Sequence, residues 1–276
     1  MYVGVVGAGT MGAGIATAAL AVGDHVVSVE KNAKQAAGAR EMIENSLLRL
    51  AAKNDDIDVA ECLARLTQVD AVDQTTGCEI VIEAIPELLE VKQELFSTLD
   101  RVHGSEVLLA TNTSSLSINS IAAKVDDPSR VVGMHFFNPV PVSALVEVVV
   151  GADTSSEAAG TAVAYAERLR KTPIVVKDSP GFASSRLGLV LGLEAIRMLE
   201  SGVATAEDID QAMELGYRHP MGPLRLTDLV GLDVRLNIAQ HLARELGDRF
   251  APPQLLVDMV AEGKLGKKVG HGFYAW

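Results

Sequence analysis

Near the start of the chain, Gly7-Ala8-Gly9-Thr10-Met11-Gly12 joins an apolar run, Tyr2–Val6, to a helical pattern, Gly12–Val22. This is the most constraining feature of the sequence. Gly7 permits a tight turn, Gly9 lets the backbone approach a pyrophosphate, and Gly12 lets the helix pack closely on the sheet. The helix N-terminus then offers partial positive charge to a phosphate. Such a turn is a weak signal in isolation, but here its context is complete. A second apolar run, His25–Glu30, follows and ends on the acidic Glu30. That carboxylate is placed to accept hydrogen bonds from an adenosine ribose and to repel a 2′-phosphate. NAD is therefore expected over NADP, although the adjacent Lys31 works against the inference. Gly7, Gly9, Thr10, Met11, Gly12 and Glu30 are the expected cofactor contacts. A glycine turn of purely structural use is the alternative.

The rest of the first half alternates in the same way. Glu79–Ile85, Val107–Thr111 and Val131–His135 read as strands. Ala33–Lys53, Val59–Leu66 and Leu88–Arg101 read as helices. Nearly all-apolar strands suit a parallel sheet covered on both faces, and the βαβα order predicts a doubly wound α/β domain of Rossmann type. Leu145–Val150, Ser155–Lys171 and Ile174–Lys177 extend it as strand, helix and strand. Asp178-Ser179-Pro180-Gly181 is a turn and a domain boundary. Beyond it, Arg186–Glu200, Ala206–Leu215 behind a Thr205 cap, Leu229–Leu246 and Pro252–Glu262 read as helices. The chain is thus expected to hold two domains, 1–180 and an all-α 181–276, as its 276 residues suggest.

The net charge of −12 disfavours nucleic acid and anionic membrane as partners, since both call for excess Lys and Arg. The two cysteines, Cys62 and Cys78, form no pair or ligand cluster, so no metal is expected. They suit a reducing cytoplasm. No signal peptide is expected, since a strand is read from Tyr2 onward, and no apolar run is long enough to span a membrane.

A second constellation lies at later strand ends. Asn112-Thr113-Ser114-Ser115 closes the Val107–Thr111 strand with amide and hydroxyl groups, where ligands bind in open α/β sheets. Asn112 is counted with the cofactor contacts; the bland alternative is that these residues only cap a turn. His135 ends the next strand, and Glu147 lies on a strand-like run across a proline turn. Two strands joined in this way can set His135 beside Glu147. A carboxylate there would fix the imidazole tautomer and favour a general base for a hydroxyl proton. A histidine satisfied in the core and a glutamate in a salt bridge is the competing reading. Of the other histidines, only His219 is a rival.

Together these residues resemble the 3-hydroxyacyl-CoA dehydrogenase family, in its short 3-hydroxybutyryl-CoA form. The resemblance runs from Val3 to Trp276. Its most specific strings are Asn112-Thr113-Ser114-Ser115-Leu116, His135-Phe136-Phe137-Asn138-Pro139-Val140-Pro141-Val142, Asp178-Ser179-Pro180-Gly181-Phe182, His219-Pro220-Met221-Gly222-Pro223 and Gly270-His271-Gly272-Phe273-Tyr274. It implies that His135 takes the 3-hydroxyl proton, Glu147 orients it and Ser114 bonds the reacting oxygen. It further implies that Glu30, Glu87, Lys92, Ser114, Asn138 and Lys268 contact NAD, and that Ser46 and Lys53 contact CoA. A homodimer built on the helical domain is implied as well. Two positions depart from the pattern. Ser185 stands where the family commonly has Asn, and is kept as a candidate site residue. Ser143-Ala144 replaces the common Met-Lys. The second change leaves open a carrier-protein thioester or a free hydroxy acid as substrate. A non-catalytic NAD-binding protein is a third reading, opposed by the intact Ser114, His135 and Glu147.

Overall fold

The computed structural model describes residues 1–276. Its chain divides into two compact units, Met1–Ser179 and Pro180–Trp276, each with its own apolar core.

The first unit is built on one sheet of eight strands: β1 (Tyr2–Val6), β2 (His25–Val29), β3 (Leu66–Val69), β4 (Ile80–Glu83), β5 (Leu108–Thr111), β6 (Val131–Phe136), β7 (Leu145–Val150) and β8 (Thr172–Lys177), in the order β3-β2-β1-β4-β5-β6-β7-β8. Pairings from β3 through β6 are parallel. β7 runs antiparallel to β6, and β8 parallel to β7. Helices α1 (Thr10–Ala21), α2 (Ala33–Ala51), α3 (Val59–Ala64), α4 (Leu89–Val102), α5 (Ile118–Ala122) and α6 (Ser156–Arg168) connect and cover it. This is the doubly wound α/β fold predicted from the strand and helix order.

The central strands are buried throughout: every residue of β4, β5 and β6 is enclosed. That is why they read as apolar runs without alternation. Val3, Val5, Ile80, Ile82, Val132 and Val146 pack with Ile15 and Leu20 of α1 and Ile43 and Leu47 of α2. Each such side chain contributes roughly 1.5–3 kcal/mol on burial.

The chain runs outward from β1 to β3, then returns to place β4 on the other side of β1. The winding therefore reverses between β1 and β4, and ligands bind beyond the carboxyl ends of strands at such a switch. Gly7, Glu30, Ala84, Asn112 and Phe137 follow those ends along one edge of the sheet. Because β7 is reversed, its first residues, and those of β8, lie at that same edge.

Three local features differ from the sequence pattern. The helix expected over Val59–Leu66 ends at Ala64, and Leu66–Val69 forms the edge strand β3. With Thr67 and Gln68 at its centre, this strand offers no apolar run to detect. α5 is too short for a periodic signal. The helix expected over Leu229–Leu246 is two, broken at Gly231, whose φ of 104° no other residue type adopts readily.

The second unit contains α7 (Ser184–Glu200), α8 (Ala206–Tyr217), α9 (Pro223–Val230), α10 (Leu232–Leu246) and α11 (Gln254–Ala261). Leu189, Leu193, Ile196, Leu224, Leu232 and Leu242 form its core with Phe250 and Leu256. Thr205 caps α8 by accepting from Asp208 N at 3.2 Å. No helix of the chain is long and apolar enough to cross a membrane. Both cysteines are free and buried.

Two buried aspartates hold the C-terminal segment of this unit. Asp228 accepts from Phe273 N (2.9 Å), Tyr274 N (2.9 Å) and Trp276 Nε1 (2.8 Å). Asp210 accepts from Leu224 N, Arg225 N and the Tyr274 hydroxyl, all within 2.9 Å. The Arg225 guanidinium lies 4.3 Å from the Tyr274 ring centroid. Asp228→Ala would strip three donors of their acceptor. Denaturant unfolding is expected to show a loss of about 3 kcal/mol; a loss below about 1 kcal/mol would mean that packing alone holds the segment.

Candidate active site

The glycine turn opens the site. Gly7 adopts φ +100°, and a Cβ on Gly12 would fall 1.8 Å from the Gly7 carbonyl oxygen. No side chain is tolerated at that contact. Gly9 is the N-cap of α1, with no side-chain cap on the first-turn N–H groups. A Cβ added to Gly9 would meet nothing within 4 Å, so its backbone faces open space. That space is a cleft of about 1090 Å³ lined by Gly7, Gly9, Thr10, Met11, Glu30 and Lys31, among others. Glu30 follows β2 and accepts from Asn32 N at 3.0 Å and, across the turn, from Ala8 N at 3.3 Å. Uncapped N–H groups, a wall without side chains and a carboxylate at the far rim fit a dinucleotide.

Next along the sheet edge is a buried charge network. Glu83 and Lys92 are both fully enclosed and form an ion pair. Lys92 Nζ also lies 3.3 Å from Glu87 Oε2. The other oxygen of Glu83 accepts from the Thr111 hydroxyl at 2.6 Å. Glu87 Oε1 accepts from the Thr113 hydroxyl (2.5 Å), Ser114 N (2.9 Å) and Ser115 N (3.2 Å). Burial pushes the Glu83 carboxyl up, against the opposing charge of Lys92. Burial also pushes Glu87 up, but the Lys92 charge and the bonds from Thr113 and Ser114 outweigh it and hold Glu87 below its usual range. Lys92 thus reaches the site through Glu87, and Glu87 fixes the Ser114 loop while the Ser114 residue stays exposed.

Asn112 Oδ1 accepts from Phe136 N at 2.9 Å, tying the end of β5 to that of β6. On β6, His135 stands directly opposite Glu147 of β7. His135 Nδ1 and Glu147 Oε2 are 2.7 Å apart, and both residues are buried. The Phe137 ring is tilted against the imidazole, 4.5 Å between centroids. Beyond them the chain turns through exposed Asn138 and a cis Asn138–Pro139 peptide. The following loop is clamped by Lys171, whose Nζ donates to the Val140 and Ser143 carbonyls at 2.6 and 2.7 Å. Burial pulls the Lys171 pKa down.

The remaining candidates sit elsewhere. Ser46 is half-buried on α2, and Lys53 is exposed just past that helix. In the second unit, Ser185 is half-buried in the first turn of α7. There too, Lys268 Nζ donates to both oxygens of Asp233, at 2.6 and 2.5 Å.

Sequence reasoning missed Glu83 and Lys171, while Thr111 and Thr113 lie at the hydroxyl-rich strand end it singled out. A lone glutamate closing the apolar run Ile80–Ile82 was the available signal for Glu83, since such a group is enclosed only with a partner. Nothing local distinguishes Lys171 from a surface lysine.

Comparison with known proteins agrees with this geometry. Residues 2–179 match the model of the 3-hydroxyacyl-CoA dehydrogenase NAD-binding domain, and residues 181–276 that of the family's C-terminal domain. The chain belongs to the 3-hydroxyacyl-CoA dehydrogenase family. It is an NAD-dependent dehydrogenase of that family. A 3-hydroxybutyryl-CoA dehydrogenase of Mycobacterium tuberculosis is 43% identical over 279 residues, covering 99% of this chain and 98% of that protein. The human mitochondrial hydroxyacyl-coenzyme A dehydrogenase is 42% identical over 285 residues, covering 100% and 91% respectively. The crystal structure of (S)-3-hydroxybutyryl-CoA dehydrogenase from Ralstonia eutropha superposes with a TM-score of 0.95 at 41% identity, covering 100% of this chain and 98% of that one.

Two results are expected from the site. Gly12→Ala should abolish NADH binding measured by fluorescence titration, because the added methyl cannot coexist with the Gly7 carbonyl. Glu83→Gln should cost about 3 kcal/mol of stability by leaving Lys92 partly uncompensated. In a denaturation cycle, Glu83→Gln with Lys92→Met should lose at least about 1 kcal/mol less than the sum of the single losses; additive losses would argue against the pair.

Proposed function

We propose that the protein interconverts an (S)-3-hydroxyacyl-CoA, of short chain such as 3-hydroxybutyryl-CoA, and the 3-oxoacyl-CoA. The observation carrying this is the His135–Glu147 pair, enclosed at the same sheet edge as the glycine turn. NAD, when bound, serves as the hydride acceptor for the substrate's C3. The chain must then take the hydroxyl proton. With Nδ1 held by Glu147, Nε2 is the basic nitrogen of His135 and receives that proton. Glu147 stabilises the imidazolium as it forms. In the reverse direction the imidazolium is the acid. Ser114, its backbone fixed by Glu87, supplies a hydroxyl donor to the reacting oxygen, where charge develops.

Around this centre, Gly7, Gly9, Thr10, Met11, Gly12, Glu30, Glu87, Asn112 and Asn138 take the cofactor. Lys92 acts by setting the charge and position of Glu87, and Lys268 is a further cofactor contact. Ser46 and Lys53 receive the CoA moiety, the lysine by its charge. The helical unit takes the acyl group, with Ser185 beside it, and pairs with a second copy of the chain. Exposed Leu187, Leu191, Leu215 and Tyr217 support the pairing. Free, buried Cys62 and Cys78 suit the cytoplasm.

NADH consumption with acetoacetyl-CoA, the matching carrier-protein thioester and the free acid tests the reading. Turnover of the CoA ester is expected to dominate. Ser143-Ala144, in place of a lysine-bearing pair, makes the carrier-protein ester the informative competitor. His135→Gln should lower kcat by about 10²–10⁴-fold, and Glu147→Gln should lower kcat with little change in KM. A His135→Gln enzyme at near wild-type rate would exclude the base assignment.

A further inference from the structure

Lys171, between α6 and β8, is buried, and its ammonium donates to backbone carbonyls rather than to a carboxylate. Both acceptors, Val140 O and Ser143 O, belong to the loop that leaves β6 after His135 and returns as β7. Pro139 and Pro141 bring no N–H groups to this loop. Its own backbone bonds run from Val142 N and Ser143 N to the Pro139 carbonyl, at 3.0 and 2.9 Å. The lysine therefore ties the loop down toward both of its ends. The next residue adds a further tie, since Thr172 N donates to the Ala144 carbonyl at 2.6 Å.

A second contact holds the loop from another side. Val140 is 1% exposed. It packs against Gly14 of α1, where an added Cβ would stand 2.9 Å from the Val140 Cβ and 3.0 Å from its Cγ2. The N-terminus of α1 opens on the cofactor cleft. Val140 is thus gripped between the cofactor helix and the lysine. Exposed Asn138 lies two residues before it. Phe137, whose ring lies against the His135 imidazole, lies three before it.

Enclosing an ammonium without a carboxylate costs stability. A neutral donor could close a loop with a smaller penalty. Departures of this kind gather at functional positions. Charge-assisted hydrogen bonds are also stronger than neutral ones, so the backbone beside Asn138 and Phe137 is held stiffly.

We propose that Lys171 is a positioning residue for hydride transfer. By holding Val140 against α1, it sets Asn138 against the cofactor and Phe137 against the imidazole of His135. This rests on the roles given above to His135 and Asn138.

The test assays variants with acetoacetyl-CoA and NADH well below their Tm. Lys171→Met should lower kcat by about 10- to 100-fold, the cost of a misplacement on the order of 1 Å. The KM for NADH should rise severalfold. The kinetic isotope effect on kcat, read with NADH deuterated at the transferred position, should rise as well, because the loss falls on the chemical step. Lys171→Gln keeps an amide donor and should fall between wild type and Lys171→Met. Gly14→Ala pushes on Val140 from the helix side and should give the same pattern. Gly14→Ala with Lys171→Met should lose less than the product of the single losses, since both free one loop. Should Lys171→Met fail to fold, Lys171→Gln takes its place in that cycle. A Lys171 variant with a lowered Tm but kcat within about twofold of wild type overturns the proposal and leaves the lysine a purely structural role. A shrinking isotope effect, or losses that multiply in the cycle, overturns it too. If the wild-type enzyme turns over no acyl-CoA, the functional reading fails by itself. Fluorescence titration with NADH then still tests the lysine: Lys171→Met should weaken binding severalfold, and an unchanged Kd overturns the proposal.

Discussion

The single antiparallel pairing of the sheet, β6 against β7, is what the candidate centre depends on. In a parallel ladder, residues on adjacent strands meet only after a long crossover. Here the chain turns back within one loop, and register alone sets His135 opposite Glu147. The pair needs no adjustable side-chain reach, because the backbone ladder fixes it. The reversal also carries the start of β8 to the ligand edge, and so brings Lys171 under the loop that follows the histidine.

The network between β4 and β5 does for Ser114 what the ladder does for His135. Two carboxylates enclose one ammonium, and the surplus negative charge is spread over hydroxyl and amide donors from Thr111, Thr113, Ser114 and Ser115. Glu87 links the enclosed half to the open half. A loop that would otherwise be soft is thereby held at its backbone, while the serine itself stays exposed. Such a network is stabilising only while every member is satisfied, which ties Ser114's position to residues that touch no ligand.

The parts of this arrangement that were legible in the sequence are those with short-range signatures. The glycine turn, the apolar strands and Glu30 lie within one βαβ unit, and the His135–Glu147 pairing followed from two strands and a proline turn. What the sequence hid has physical reasons. β3 carries polar residues because it is an edge strand, so it lacks the run that marks a buried one. The break at Gly231 is a backbone conformation within an otherwise continuous helical pattern. Lys92 and Lys171 are long cationic side chains, ordinarily solvated, and only tertiary structure shows that they are enclosed.

The burial of Lys92 has a practical consequence for anyone handling this protein. Its ammonium and that of Lys171 are shielded, whereas Lys31, Lys53 and Lys268 are exposed. Amine-directed chemistry, whether for surface tethering or fluorescent labelling, therefore reaches Lys53 and Lys268, together with exposed Lys31, Lys34, Lys124, Lys177 and Lys267, and spares the two lysines that hold the scaffold. The two classes of lysine differ in reactivity by their surroundings alone. Protection of Lys53 and Lys268 by bound ligand, measured against the other exposed amines, therefore reports occupancy without disturbing the framework.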